Sequence, residues 1–88
     1  MDKFFKTVPR ERMVAGYRRT VRGIRAGQIR CVLIARDADE VLIDDVRKIC
    51  IDHGVPYRFA GGKKEMGDRL GLEVPCAIVG ENIGTAKI

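Results

Sequence analysis

Four arginines, Arg18, Arg19, Arg22 and Arg25, fall within eight residues, and no acidic residue stands among them. A guanidinium group stays charged at any physiological pH and holds its N–H donors in a flat fork. It therefore pairs in a bidentate way with phosphate oxygens or with the O6 and N7 edge of a guanine. The ordinary fate of a charge run is a solvated helix face, but such a face usually mixes signs to gain i, i+4 pairs. This segment, Tyr17 to Ala26, does not, so its chemistry points to a polyanion.

Other residues invite chemistry and do not sustain it. Cys31, Cys50 and Cys76 are odd in number and scattered, with no Cys-x-x-Cys pair and a single His53, so they read as buried small apolar residues. Asp37, Asp39, Glu40, Asp44 and Asp45 sit where a capped, solvated helix start places acids. Gly61-Gly62-Lys63-Lys64 is not a phosphate loop, because Tyr57 occupies the place of the first glycine and no Ser or Thr follows the lysine. With no nucleophile and base pairing either, the expectation is a non-enzyme without metal or cofactor.

Charge is unevenly spread. The net +5 resolves into +8 over Met1 to Arg36, where Asp2 and Glu11 are the only acids, and −3 over the rest. Such asymmetry favours nucleic acid over membrane, since no segment couples this charge to a strongly apolar face. Eighty-eight residues, 45% hydrophobic and 33% charged, suit one globular domain over 1–88. No apolar run is long enough to span a bilayer, and Lys6 and Arg10 follow Phe4 and Phe5 too soon for a secretory signal, so a cytoplasmic protein is expected.

The elements that must position the arginines follow from periodicity. Arg12 to Ala15 reads as a short edge strand ending at Gly16; Tyr17, Val21 and Ile24 then recur at i, i+4 and i+7 until Gly27, which is a helix with a glycine stop. Its buried stripe aims Arg18, Arg22 and Arg25 outward, with Arg19 beside them. Cys31 to Ala35 is an unbroken apolar run, the mark of a strand covered on both faces. A helix follows, with Leu42, Val46 and Ile49 inward and His53-Gly54 at its end. Val55 to Ala60 predicts a strand, Lys63 to Leu70 a helix stopped by Gly71, and Cys76 to Val79 the last strand. This β-α-β-α-β order predicts a three-layer α/β/α sandwich on a mixed sheet of about four strands.

Four segments in register, Gly16-Tyr-Arg-Arg-Thr-Val-Arg22, Val32-Leu-Ile-Ala-Arg-Asp-Ala-Asp39, Val55-Pro-Tyr57 and Gly71-Leu-Glu-Val-Pro-Cys-Ala77, resemble the kink-turn RNA-binding ribosomal-protein family of the large-subunit "L seven Ae" type, above all its short bacterial members. The resemblance runs from about Arg12 to Gly80. It implies an α/β/α sandwich that binds RNA duplexes bent sharply at a bulge beside tandem G·A pairs, with no catalysis. In that family the helix after the glycine carries a Gly-x-Asn-Glu-x-x-Lys pattern toward the guanines. Here Gly16 matches the glycine, Arg18 the Asn, Arg19 the Glu and Arg22 the Lys, so only Arg22 keeps the charge. The resemblance further implies that the apolar tip of Leu72-Glu73-Val74-Pro75 packs on a flipped base, with Lys63 or Lys64 as a nearby basic contact.

The expected RNA-binding set is therefore Gly16, Tyr17, Arg18, Arg19, Arg22, Arg25, Lys63, Lys64, Leu72, Glu73, Val74 and Pro75. Two of its members carry alternatives. Leu72 and Val74 are equally readable as core residues at the start of the last strand, and Tyr17 as an aromatic at the core edge. The expected partner is structured kink-turn RNA, ribosomal or regulatory, with the ribosome as a further partner and neither membrane nor small-molecule substrate. The rival function is a protein-interaction module whose basic face meets an acidic protein surface.

Overall fold

A computed structural model describes residues 2–83. The N-terminal residues form a one-turn helix α1 (Phe4–Thr7) and a 3-10 turn (Arg10–Arg12). There follow β1 (Met13–Ala15), α2 (Tyr17–Arg25), β2 (Ile29–Ile34), α3 (Glu40–His53), β3 (Tyr57–Phe59), α4 (Lys63–Arg69) and β4 (Ile78–Asn82). The sheet order is β1-β4-β2-β3. Only β2 and β3 run parallel, joined through α3, while β4 lies antiparallel between β1 and β2. The sheet is thus mixed and four-stranded, as the alternation of apolar runs and helices predicts.

Each face of the sheet has its own core. On one, Leu33, Val79 and Cys31 pack with Phe4 of α1 and with Met66 and Leu70 of α4. On the other, Val14, Val32, Ile34 and Ile78 pack with Ile24 of α2 and with Val46 and Cys50 of α3. This is why Cys31 to Ala35 shows no alternation: every residue of that run is buried, on one face or the other. All three cysteines are free and buried, and burial pushes the Cys50 thiol up to about 11.

Three boundaries differ from the sequence reading. β1 starts at Met13, because Arg12 closes the 3-10 turn through its N–H bond to the Pro9 carbonyl. β3 is only three residues long, with Val55 and Pro56 leading into it. β4 is displaced, running from Ile78 to Asn82 instead of Cys76 to Val79. The sequence after Val79 looked like a strand end because it turns polar. In the fold Glu81 and Asn82 are buried, and the Glu81 carboxylate accepts from Cys31 Sγ at 3.6 Å and faces Arg30 Nη1 at 3.7 Å. A charge paired this way can sit inside a sheet.

Helix α1 has no counterpart in the periodicity analysis. Phe4 is 2% exposed and stacks edge-on with Phe5 at 5.2 Å. Asp2 accepts from the Phe4 N–H at 2.9 Å and receives both Nε and Nη2 of Arg58, on β3, at 2.7 Å. An acid on one side and two rings on the other thus fasten the N-terminal turn onto the sheet.

Candidate functional site

Gly16 makes the turn from β1 into α2. Its φ of 98° is open to glycine and rarely to other residues, and its N–H donates to the Ile78 carbonyl at 2.8 Å. The helix is anchored inward by Thr20, Val21, Gly23 and Ile24. Thr20 is fully buried, with Oγ1 3.3 Å from the Val14 carbonyl. Its methyl lies where Gly80 has no side chain: a Cβ there would come within 3.0 Å. This close approach of helix to strand leaves Arg18, Arg19, Arg22 and Arg25 exposed. Among the described residues, none of the four lies within ion-pair distance of a carboxylate; the ion pairs present involve Arg30, Arg47 and Arg58 instead.

The three main helices start differently. Asp39 caps α3, accepting from the Val41 N–H at 2.8 Å, and Asp37 caps α4 from across the sheet end, accepting from the Lys63 N–H at 2.8 Å. The acids read as one helix start therefore serve two helices. Among the described residues no side-chain hydrogen bond caps α2, and the helix dipole favours an anionic group at such a start.

The segment Gly71 to Pro75 folds back along α4. Leu72 N–H bonds the Gly67 carbonyl at 2.9 Å, and Cys76 N–H bonds the Lys63 carbonyl at 2.9 Å. Gly67 allows this: a Cβ there would run into the Val74 carbonyl. The loop stands clear of the core, with Leu72 38% and Val74 62% exposed, which decides between the two readings of these residues in favour of an exposed tip. Its inner side, with Ala15, Gly16 and Tyr17 across from it, borders an open apolar pocket of about 220 Å³.

A second concavity, a groove of about 350 Å³, runs along α2 and is lined by Tyr17, Arg18, Val21, Arg22 and Arg25. Tyr17 lines both. The fold thus brings Gly16, Tyr17, Leu72, Val74 and Pro75 into one pocket and Arg18, Arg22 and Arg25 into the adjoining groove. Arg19 lies on the other flank of the helix's exposed side, about 100° from Arg18, and lines neither. Lys63, Lys64 and Glu73 are exposed and also line neither, although the Lys63 backbone holds the loop's end.

The sequence reading missed Leu42 of α3 and the Cys76-Ala77-Ile78 floor, which complete the pocket. Their apolar periodicity assigns them to the core, and nothing in the sequence marks a core residue that also faces a cavity.

The profile of the ribosomal protein L7Ae/L30e/S12e/Gadd45 family matches residues 2–86. The chain belongs to this family. A curated relative, an RNA-binding protein of Bacillus pumilus, is 28% identical over 67 residues, covering 76% of this chain and 82% of its own. Another RNA-binding protein, from Caldanaerobacter subterraneus, is 27% identical over 71 residues, covering 81% and 87%. Among solved structures, the Giardia lamblia 15.5kD RNA binding protein superposes with a TM-score of 0.76 at 26% identity, over 85% of this chain and 63% of that one. A Bacillus halodurans protein of unknown function shares the fold, with a TM-score of 0.77 at 18% identity over 82% and 72%.

Proposed function

We propose that this protein binds RNA without catalysing a reaction, and that its preferred target is a kink-turn or similarly bent RNA, ribosomal or regulatory, in the cytoplasm. The observation that carries the reading is the meeting of an acid-free arginine helix face with an apolar pocket behind an exposed loop. Family membership and the RNA-binding relatives support it.

The physics is that of a bent duplex. An ordinary A-form major groove is too narrow for side chains, and a kink opens it. Arg18 and Arg22 then pair with guanine edges, Arg25 and Arg19 with phosphates, and the uncapped start of α2 with a further phosphate. A base expelled by the bulge finds apolar cover between Tyr17 and the tip of Leu72-Glu73-Val74-Pro75, with Lys63 and Lys64 at the edge. Because the bent form alone offers all of these, binding draws the RNA into it by mass action.

The test is a gel-shift series against a kink-turn and an unkinked duplex of equal length, at several salt concentrations. The kink-turn should bind more tightly, with an affinity that falls steeply as salt rises. Equal affinities would reduce the protein to a general polyanion binder. Binding to neither, together with capture of an acidic protein, would establish the interaction-module alternative.

A further inference from the structure

We infer that Arg10, in the 3-10 turn before β1, grips a phosphate at the loop's side of the apolar pocket and so holds the backbone of the nucleotide whose base enters it. The inference rests on the RNA-binding reading and adds to it a contact from an element outside α2 and the loop.

The turn brings Arg10 against the start of the loop. Gly71 has a φ of 73°, and a Cβ on it would meet Nη1 of Arg10 at 3.0 Å, Cζ at 3.4 Å and Nη2 at 3.5 Å. Three such similar distances lay the flat face of the guanidinium over the glycine, in space that a side chain there would contest. A plane packed on its face keeps its N–H groups pointing outward from its edge, which is how a guanidinium takes an anion in two bonds.

Those donors are unengaged. Arg10 is exposed, and among the described residues its side chain has neither a hydrogen bond nor an ion pair. Yet Glu11 adjoins it in sequence and Glu73 stands two residues beyond Gly71. The head is thus seated by packing and left without an acid, so an incoming anion meets donors already in place.

The position fits one occupant. Leu72, next to Gly71, lines the apolar pocket, and Tyr17 of α2 lines it from across. The arginines of α2 therefore stand on one side of the pocket and Arg10 on the other. A base drawn out of a duplex carries its sugar and flanking phosphates to the pocket mouth, where a cation on each side meets the backbone as it enters and as it leaves. A duplex with every base stacked leaves the pocket empty and brings no phosphate to that rim, so the contact favours the bent form.

Titration of the full chain tests this with three forms of a kink-turn RNA: unmodified, and carrying a neutral methylphosphonate at the phosphate 5′ or 3′ of the expelled nucleotide. Arg10→Gln should weaken binding of the unmodified RNA ~10-fold, the loss of one charge-assisted contact, and reduce the salt slope by about 1. With one of the two methylphosphonates the same substitution should cost nothing further, since the charge it grips is already gone. Arg10→Lys should recover only part of the affinity, because an ammonium has no flat face to lie on Gly71. Losses that add at both phosphates, or a loss no larger than that of Lys48→Gln on α3, would overturn the proposal by making Arg10 one general positive charge among many. A clear fall in the melting temperature of Arg10→Gln would overturn it by giving the residue a structural role. If the kink-turn RNA binds Arg10→Gln as tightly as the native chain, the contact falls and the RNA-binding reading stands; if the native chain does not bind that RNA, both fall.

Discussion

At Arg18 and Arg19 the chain departs from the amide-and-acid pair that the family resemblance would place there, and the departure changes what the helix can do. Two guanidinium groups replace one neutral and one negative side chain, so attraction to any phosphate backbone rises whether or not the RNA is bent. Replacing Arg18 and Arg19 by Asn and Glu should lower affinity for kinked and unkinked RNA alike, flatten the salt dependence and widen the ratio between them. An unchanged salt slope would mean that neither arginine faces RNA. Arg22, the like-for-like position, should matter most for recognition: Arg22→Ala should cost ~1–3 kcal/mol of kink-turn binding. Lys48→Ala, an exposed charge on α3, should cost little. Equal losses in the two variants would remove α2 from the reading role.

At the scale of elements, α2 and the 71–75 loop are each fixed by a glycine at which another group comes close. Gly80 admits the Thr20 methyl and so lets α2 lie on β4, while Gly67 admits the Val74 carbonyl and so lets the loop lie on α4. Gly67→Ala must push the loop outward and should lower stability by ~1–3 kcal/mol, the usual range for overpacking. Val74→Asp is the contrasting case. With 62% of its surface exposed, the new carboxylate stays hydrated, so the melting temperature should hardly move. RNA binding should nevertheless fall, because a charge would stand where a base seeks apolar cover. Circular dichroism and a titration on the same sample check both variants; a large fall in melting temperature for Val74→Asp would return the residue to the core.

At the scale of the molecule the two ends of the sheet are specialised. One end gathers Gly16, the uncapped start of α2 and the exposed loop. Toward the other lie the polar contacts of Glu81 with Cys31 and Arg30, while Asp2 pairs with Arg58 on the edge strand β3. The Arg58 guanidinium holds the Asp2 carboxyl down at about 2, against 3.8 for a free one, helped by the Phe4 N–H and opposed by partial burial. Since the depressed pKa belongs to the folded state, the stabilisation is complete above about pH 4 and fades as pH falls toward 2. Asp2→Asn should therefore lower stability at neutral pH by ~0.5–1 kcal/mol, with Arg58 half exposed to solvent limiting the effect. The difference between variant and native protein should shrink as pH falls through 2. Thermal melts at pH 7 and pH 2 measure it, and a gap at pH 2 as wide as that at pH 7 would assign the loss to packing of α1.

The sequence by itself determined the class of fold and the helix that follows Gly16, with its arginines outward. Each of these is a local matter of periodicity, charge and steric freedom, written within a few consecutive residues. Tertiary structure decided the rest. Phe4 became core, with Phe5 packed half-buried beside it, only because α4 and the sheet left a face for them to cover, and one helical turn is too short to show a period. Glu81 could extend β4 inward only because Cys31 and Arg30, some fifty residues away in the chain, supply its partners. Whether Leu72 and Val74 were core or tip depended on Gly67, whose missing side chain lets the loop rest on α4 with its apolar groups turned outward. The cavities, too, are made by contacts between residues distant in sequence or by the way one helix lies on a sheet, and no spacing along a chain encodes the empty space between side chains.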